Sequence, residues 1–209
     1  MTVLGTFTLM SESWHEARRW RIGASEVSVI LGMSPWQETS ADLMARKLAG
    51  THLDDTPAML RGRALEESAI PWAAAKWPGA GWEYDPARSA ATYVHGEYDW
   101  ALANPDYILT DDTLIEVKTT HDRATEDGWG KAGSDVIPLA YQTQIQWACG
   151  VIGLDSWRLL VIHGATNGRP DLDIARYKGA ANPRQFAAMA ARAARWHDQL
   201  IAERDRTAA

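Results

Sequence analysis

Two carboxylates and a lysine fall close together in the middle of this 209-residue sequence: Asp106 and, after nine intervening residues, Glu116-Val117-Lys118. Side chains on a strand alternate between faces, so Glu116 and Lys118, two apart, leave on the same side. Asp106 opens the segment that would pair with that strand and can reach the same spot. Two acids and an ammonium on otherwise apolar segments are costly to desolvate unless something neutralises them. A hard divalent cation does so, since Mg2+ takes oxygen ligands from one or two carboxylates together with water and substrate phosphate. The lysine can then orient or help deprotonate an attacking water, which is the chemistry of metal-assisted phosphodiester hydrolysis. A solvated sheet edge carrying a Glu–Lys pair accounts for these three residues equally well, so they do not decide the matter alone.

The neighbouring segments must position them. Tyr107-Ile108-Leu109 and Leu114 to Lys118 read as two short strands around the polar turn Thr110-Asp111-Asp112-Thr113, a hairpin. Upstream, Ser11 or Ser13 can cap a short helix through Trp14, Ala17 and Arg18. Ser25 caps a second, with Val27, Ile30 and Leu31 on one face and Gly32 as its stop. A third runs from about Ser40 to Leu48, closed by Gly50. Pro57 to Trp77 reads as a long helix that Pro71 should kink or split. Thr92 to Val94 and Trp100 to Leu102 have strand character. Pro138 suits the first turn of a helix continuing through Ile145 and Ala148 to Gly150. Trp157 to Ile162 and Leu172 to Tyr177 read as strands, and Pro183 to Glu203 as an amphipathic helix. The order implies an α/β fold in which helices flank a sheet.

Composition narrows the possibilities further. With 46% hydrophobic and 23% charged residues, the chain has the make-up of one globular domain with a sizeable core. No apolar run reaches the ~18–20 residues of a membrane span, and the start lacks the basic region of a secretory signal, so neither is expected. The single cysteine, Cys149, excludes an intrachain disulfide framework and a cysteine-based zinc site and fits a reducing compartment. His15, His52, His95, His121, His163 and His197 show no metal-ligand spacing; His95 and His121, nearest the acids in sequence, read as polar trim. There is no Walker-type glycine loop and no Gly-x-Ser-x-Gly elbow. A net charge of -6 argues against a generally basic nucleic-acid binder, and 11 Trp against 2 Phe is an unusual aromatic balance.

Four blocks in order carry a family resemblance. Pro105-Asp106…Glu116-Val117-Lys118 is similar to the PD-(D/E)xK signature of restriction-endonuclease-like nucleases. Ahead of it lie Trp14-x3-Arg18 with Ile22-Gly23-Ala24-Ser25-Glu26-Val27 and Leu31-Gly32-Met33-Ser34-Pro35-Trp36, then Gly62-Arg63-Ala64-Leu65-Glu66; after it comes Pro138-x2-Tyr141-x2-Gln144-x-Gln146. Together they resemble the YqaJ viral recombinase family, to which phage lambda exonuclease belongs. Asn104 stands where many relatives have Ser before Pro-Asp, and Thr119-Thr120 where Cys-Pro is frequent. The resemblance implies a restriction-endonuclease-like α/β core with a central mixed β-sheet flanked by α-helices. The blocks cover about residues 14–163, and the resemblance implies a single nuclease domain over 1–209, with a helical segment at about 11–50, a catalytic core at about 57–178 and a C-terminal helix at about 183–204.

For the site, the resemblance implies Asp106, Glu116, Glu66 and the Val117 backbone carbonyl as ligands for Mg2+, with Mn2+ able to substitute. It implies Lys118 as the catalytic lysine, Gln144 facing the site with Tyr141 one turn earlier, and Arg18 and Ser25 as a 5′-phosphate pocket. Arg19 and Arg21 compete with Arg18 for that role, and Glu66 read alone is a surface partner for Arg61 or Arg63. The implied activity is 5′-to-3′ exonuclease digestion of double-stranded DNA ends. The implied setting is phage-type recombination in the bacterial cytoplasm, by a phage- or prophage-encoded homotrimer that passes single strands to an annealing protein. An endonuclease or structure-specific nuclease on the same core stays open, since a fold does not fix where a strand is cut. So does a non-catalytic DNA-binding or assembly protein. The acidity is compatible with DNA if carboxylates gather cations while Arg18, Arg19, Arg21, Arg61, Arg63, Arg123 and Lys131 line a path.

Overall fold

A computed structural model describes residues 1–34, 38–120, 128–164 and 172–208. Strand β1 (Thr2–Thr6) is followed by helices α1 (Glu12–Arg19), α2 (Ala24–Ile30), α3 (Ser40–Ala49), α4 (Pro57–Lys76) and the single turn α5 (Pro86–Ser89). Four strands come next: β2 (Ala91–Val94), β3 (Leu102–Ala103), β4 (Tyr107–Ile108) and β5 (Thr113–Thr120). The chain ends with α6 (Leu139–Ile152), β6 (Ser156–His163), β7 (Asp173–Ala180) and α7 (Pro183–Ala208).

Local chemistry sets most of the helix ends. Ser11 accepts the Trp14 N–H at 3.2 Å, and Thr56 accepts that of Met59 at 3.2 Å ahead of Pro57. Thr39 and Asp42 form a reciprocal capping box, and Gly50 closes α3 in the left-handed conformation. Three expectations need correction. Ser25 does not cap α2: Gly23 occupies that place, its N–H taken by Glu26 Oε2 at 2.8 Å, and Ser25 stands exposed in the first turn. Helix α4 is not split at Pro71; Pro71 and Glu67, whose carbonyl loses its donor, both lie on the exposed side, where water can serve. Helix α6 runs past Gly150 to a left-handed Gly153, because Gly150 is a contact point for α7 and not a stop.

The strands form two sheets. β1-β2-β3 is antiparallel, and β4-β5-β6-β7 is mixed, with β5 and β6 parallel and joined through α6. The central four-stranded sheet flanked by helices is the expected architecture, and the small second sheet is additional. β1 gave no sequence signal because it is a largely exposed strand without an apolar face. α6 covers one face of the mixed sheet, where Leu114, Leu159, Val161 and Tyr177 join α2, α3 and α7 in the main core. α4 covers the other, packing Ala69, Ile70 and Ala73 on Ile115, Val117, Leu160 and Ile174. β5 is therefore buried on both sides.

The tryptophans divide accordingly. Trp147 and Trp157 are core residues, as are Trp82 and Trp196, whereas Trp72 and Trp77, at the C-terminal end of α4, are half-buried. Among the described residues no tryptophan is exposed, and Trp36 lies outside them. The Phe186 ring of α7 packs flat on Gly150, where an added Cβ would stand 2.2 Å from ring carbons. Gly150→Ala is expected to destabilise the protein by about 1–3 kcal/mol in urea unfolding, outweighing the ~1 kcal/mol that alanine contributes to a helix.

Candidate active site

The β4–β5 hairpin forms as expected, with Tyr107 opposite Ile115 and Ile108 opposite Leu114. Its turn places Asp112 at a φ of +65°, a conformation aspartate tolerates better than most residues. Asp106, just ahead of β4, is tied to β5 by the Val117 N–H, which donates to Oδ2 at 2.6 Å. Glu116 points to the α6 side of β5 and is 3% exposed. Its Oε1 accepts from the Lys118 ammonium and, at 2.5 Å, from Gln144 Nε2 of α6. The Lys118 ammonium also lies 6.0 Å from the ring centre of Tyr141, one turn before Gln144. The sequence-predicted Asp106, Glu116, Lys118, Gln144 and Tyr141 thus converge. Gln146 does not: its amide donates to the Ala180 carbonyl and accepts from Asn182 N–H, a structural clamp.

The electrostatics follow from burial. Desolvation pushes the Asp106 carboxyl well above the ordinary range, and the Glu116 and Glu66 carboxylates push it further. Glu66, on α4, is raised by burial and then by Glu116. Its backbone carbonyl accepts from Tyr107 Oη at 3.0 Å, which fixes this turn of α4 against the hairpin. Burial alone would lower Lys118, but the Glu116 and Asp106 carboxylates outweigh it and hold the ammonium charged. Of the two alternative partners for Glu66, Arg63 is ion-paired with Asp55, though its charge still lowers Glu66. Among the described residues no three histidine, cysteine or acidic groups are drawn into a closed ligand cluster. The Glu116 carboxylate raises both Asp106 and Glu66, and Glu66 raises Asp106, so the three acids lie close enough to act on one another. That unfavourable gathering of acids has the donor chemistry a hard divalent cation requires.

The arginine-rich segment resolves into distinct tasks. Arg19 donates to the Lys47 and Leu48 carbonyls at the end of α3. Arg21 donates to the carbonyls of Asp99 and Ala17. Arg18 alone of the three reaches a side chain beside the hairpin, donating from Nη1 to Asn104 Oδ1 at 3.0 Å. Its guanidinium lies over Trp14 at 4.6 Å and close against Gly23, where an added Cβ would be 2.2 Å from Nη2. Asn104 in turn donates to Thr92 Oγ1 at 2.6 Å. Sequence reasoning treated Asn104 as a mere departure from a family pattern; its place two residues before Asp106 was the available signal. Ser25 lies two residues beyond Gly23, while Arg123 and His121 fall outside the described residues. His95 is a turn residue, accepting the Glu97 and Tyr98 N–H groups.

A mixed sheet between α4 and α6, with Glu116 and Lys118 on its inner strand β5 and Asp106 bonded to that strand, defines a class of α/β protein built around a buried anionic site. The YqaJ-like viral recombinase domain matches residues 13–155, and the chain belongs to that family. No curated protein shows significant similarity to it. The fold is similar to that of an alkaline exonuclease (LHK-Exo) from Laribacter hongkongensis, with a TM-score of 0.69 and 20% identity over 94% of this chain and 96% of that one. The same exonuclease in complex with dAMP gives 0.68 and 19% over the same shares. A phage-related exonuclease from Haemophilus somnus 129PT gives 0.57 and 12% over 88% of this chain and 96% of that one. These likenesses are of fold. Among the described residues, no helix is long and apolar enough to cross a membrane.

A carboxyl whose pKa is raised by folding binds its proton more tightly in the folded state, so it lowers stability as pH climbs from the unfolded value toward the raised one. Asp106→Asn removes that penalty. In EDTA at pH 8 it is expected to raise Tm by about 2–4 °C, the shift produced by 1 kcal/mol in a domain of this size, with a smaller difference near pH 4.

Proposed function

We propose that this protein is a divalent-metal-dependent deoxyribonuclease that digests linear double-stranded DNA from 5′-phosphorylated ends, in the 5′-to-3′ direction. The observation that supports it most directly is the convergence of Asp106, Glu116 and Lys118 on one end of the hairpin, with Gln144 closing over Glu116. Asp106, Glu116, Glu66 and the Val117 carbonyl would hold the cation, which when bound supplies a Lewis acid for a scissile phosphate and its attacking water. The chain's own groups do the rest. Lys118, held as an ammonium, presents positive charge and donor hydrogens where negative charge builds on the phosphate. Gln144 keeps the Glu116 carboxylate in its orientation by a hydrogen bond across from α6. Tyr141 sets an aromatic ring 6.0 Å from the ammonium, within reach of a cation–π attraction.

Arg18 carries the proposed recognition of the 5′-phosphate, with Ser25 as a second donor. An arginine supplies a planar fork suited to phosphate oxygens, and this one is bonded to Asn104, two residues from Asp106, so end recognition and cleavage share one short segment. Membership in a viral recombinase family supports a role in phage-type recombination, with a homotrimer and a single-strand annealing protein as the expected assembly and partner.

Digestion of linear duplex labelled at each end in turn, with Mg2+ or EDTA and beside a covalently closed circle, tests the reading. The expected result is metal-dependent release of label from 5′ ends and an intact circle. Cleavage of the circle at a comparable rate would favour an endonuclease, and no digestion with Mg2+ or Mn2+ a non-catalytic protein. Lys118→Ala is expected to lose about 10²–10⁴-fold in rate while still binding ends in a gel-shift assay. Removing the 5′-phosphate should slow the parental enzyme, and Arg18→Ala should erase that difference.

A further inference from the structure

Beneath Arg18 lies a buried charge pair that the catalytic site does not use. Lys47, on α3, is 4% exposed and Glu26, on α2, is 8% exposed. An ammonium has three donor hydrogens, and all three of Lys47 are taken: by the Arg18 carbonyl at 3.0 Å, the Arg21 carbonyl at 2.6 Å and Glu26 Oε1 at 3.0 Å. The other Glu26 oxygen accepts from the Gly23 N–H, and Gly23 is the residue against which the Arg18 guanidinium lies. Glu26 is therefore the buried acid next to Arg18. Burial opposes its charge, but Lys47, Arg18 and the Gly23 N–H outweigh that and hold its carboxyl below the usual range.

The charges decide what Arg18 has to offer. With Glu26 ionised and Lys47 absent, the acid and Arg18 would cancel, and a phosphate approaching the guanidinium would meet a neutral pair. With Lys47 present, the buried acid is matched by the buried ammonium and one positive charge is left at the surface. Lys47 also grips the main chain of Arg18 itself, so the same group fixes where the guanidinium starts and keeps it from being captured from below. Removing one member of a buried pair leaves an uncompensated charge, here an anionic one beside the phosphate pocket.

We infer that Lys47 is a positioning residue for 5′-phosphate recognition: by neutralising Glu26 and holding the Arg18 carbonyl, it keeps the charge of the Arg18 guanidinium from being cancelled and so available to a terminal phosphate. This rests on the proposed role of Arg18. A purely structural part for Lys47 would lower activity on all DNA ends alike, whereas this role changes the ratio of initial rates on 5′-phosphorylated and 5′-hydroxyl linear duplex.

The experiment measures that ratio, with KM and kcat, for the full-length protein and for Arg18→Ala, Lys47→Met, Glu26→Gln and the Lys47→Met/Glu26→Gln double variant, with circular dichroism to verify folding. Lys47→Met is expected to lower the ratio by about tenfold or more, as loss of a charge-assisted contact does, mainly through KM on phosphorylated ends. The double variant, which removes the uncompensated acid, is expected to recover most of the ratio. Glu26→Gln keeps an acceptor for Gly23 and is expected to lower KM for phosphorylated ends below the parental value, a result available even if Lys47→Met does not fold. A folded Lys47→Met protein with the parental ratio, a double variant no better than Lys47→Met, or a Glu26→Gln enzyme with unchanged or raised KM overturns the inference. If Arg18→Ala keeps the parental ratio, the phosphate pocket lies elsewhere and the underlying reading fails instead.

Discussion

Strand β5 is buried on both faces, yet it carries Glu116 at its centre and Lys118 two residues on. A carboxylate withdrawn from water is tolerated only if every lone pair finds a donor or a positive charge. Much of the surrounding structure meets that constraint. Lys118 supplies charge from the same strand, Gln144 supplies a hydrogen bond from α6, and the Val117 N–H engages Asp106 so that the second acid stays on the hairpin. α4 then brings Glu66, which worsens the repulsion. The fold thus gathers three carboxyl groups around one lysine at this point, the oxygen-rich setting on which the proposed cation site rests.

The N-terminal helices answer a similar constraint with the opposite sign. Three arginines within four residues would repel one another if all faced one spot. Two are instead anchored on backbone carbonyls, Arg19 at the end of α3 and Arg21 on Asp99 and Ala17. Arg18 is the one turned toward the hairpin. The buried Glu26–Lys47 pair lies where α1, α2 and α3 meet, so the packing of these three helices and the placement of Arg18 are one arrangement. Asn104 joins the two regions by accepting from Arg18 and donating to Thr92 two residues before Asp106.

With a net charge of -6, the proposed DNA substrate would depend on local groups and not on the charge of the surface as a whole. The acids of the candidate site are gathered beside β5. Several basic residues that seemed available as a path are in fact committed within the protein: Arg63 pairs with Asp55, and Arg19 and Arg21 hold main-chain carbonyls. The tryptophan excess is largely a matter of filling space. Trp147, Trp157, Trp82 and Trp196 pack interiors while their indole N–H groups reach the carbonyls of Leu102, Ala180, Trp77 and Ser40. A phenylalanine fills volume but satisfies no carbonyl.

Sequence by itself determined the hairpin, most helices and the alternation that puts Glu116 and Lys118 on one face, because those depend on residues a few positions apart. Caps and turn residues mark helix ends through hydrogen bonds spanning two to four residues, and strand periodicity is a property of the backbone. Spacing along the sequence singled out Asp106, and its resemblance to a known family singled out Glu66, Gln144 and Arg18 as residues of interest. Only the tertiary structure decided which arginine faces the site, that Gly23 with Glu26 and not Ser25 caps α2, that α4 stays whole through Pro71, and that β1 pairs into a second sheet. Each of those outcomes depends on a partner far away in sequence or on which side of an element meets water. The choice among Arg18, Arg19 and Arg21 is the clearest instance: identical side chains within four residues were separated by Asn104, Lys47, Leu48 and Asp99, residues 28 to 86 positions away.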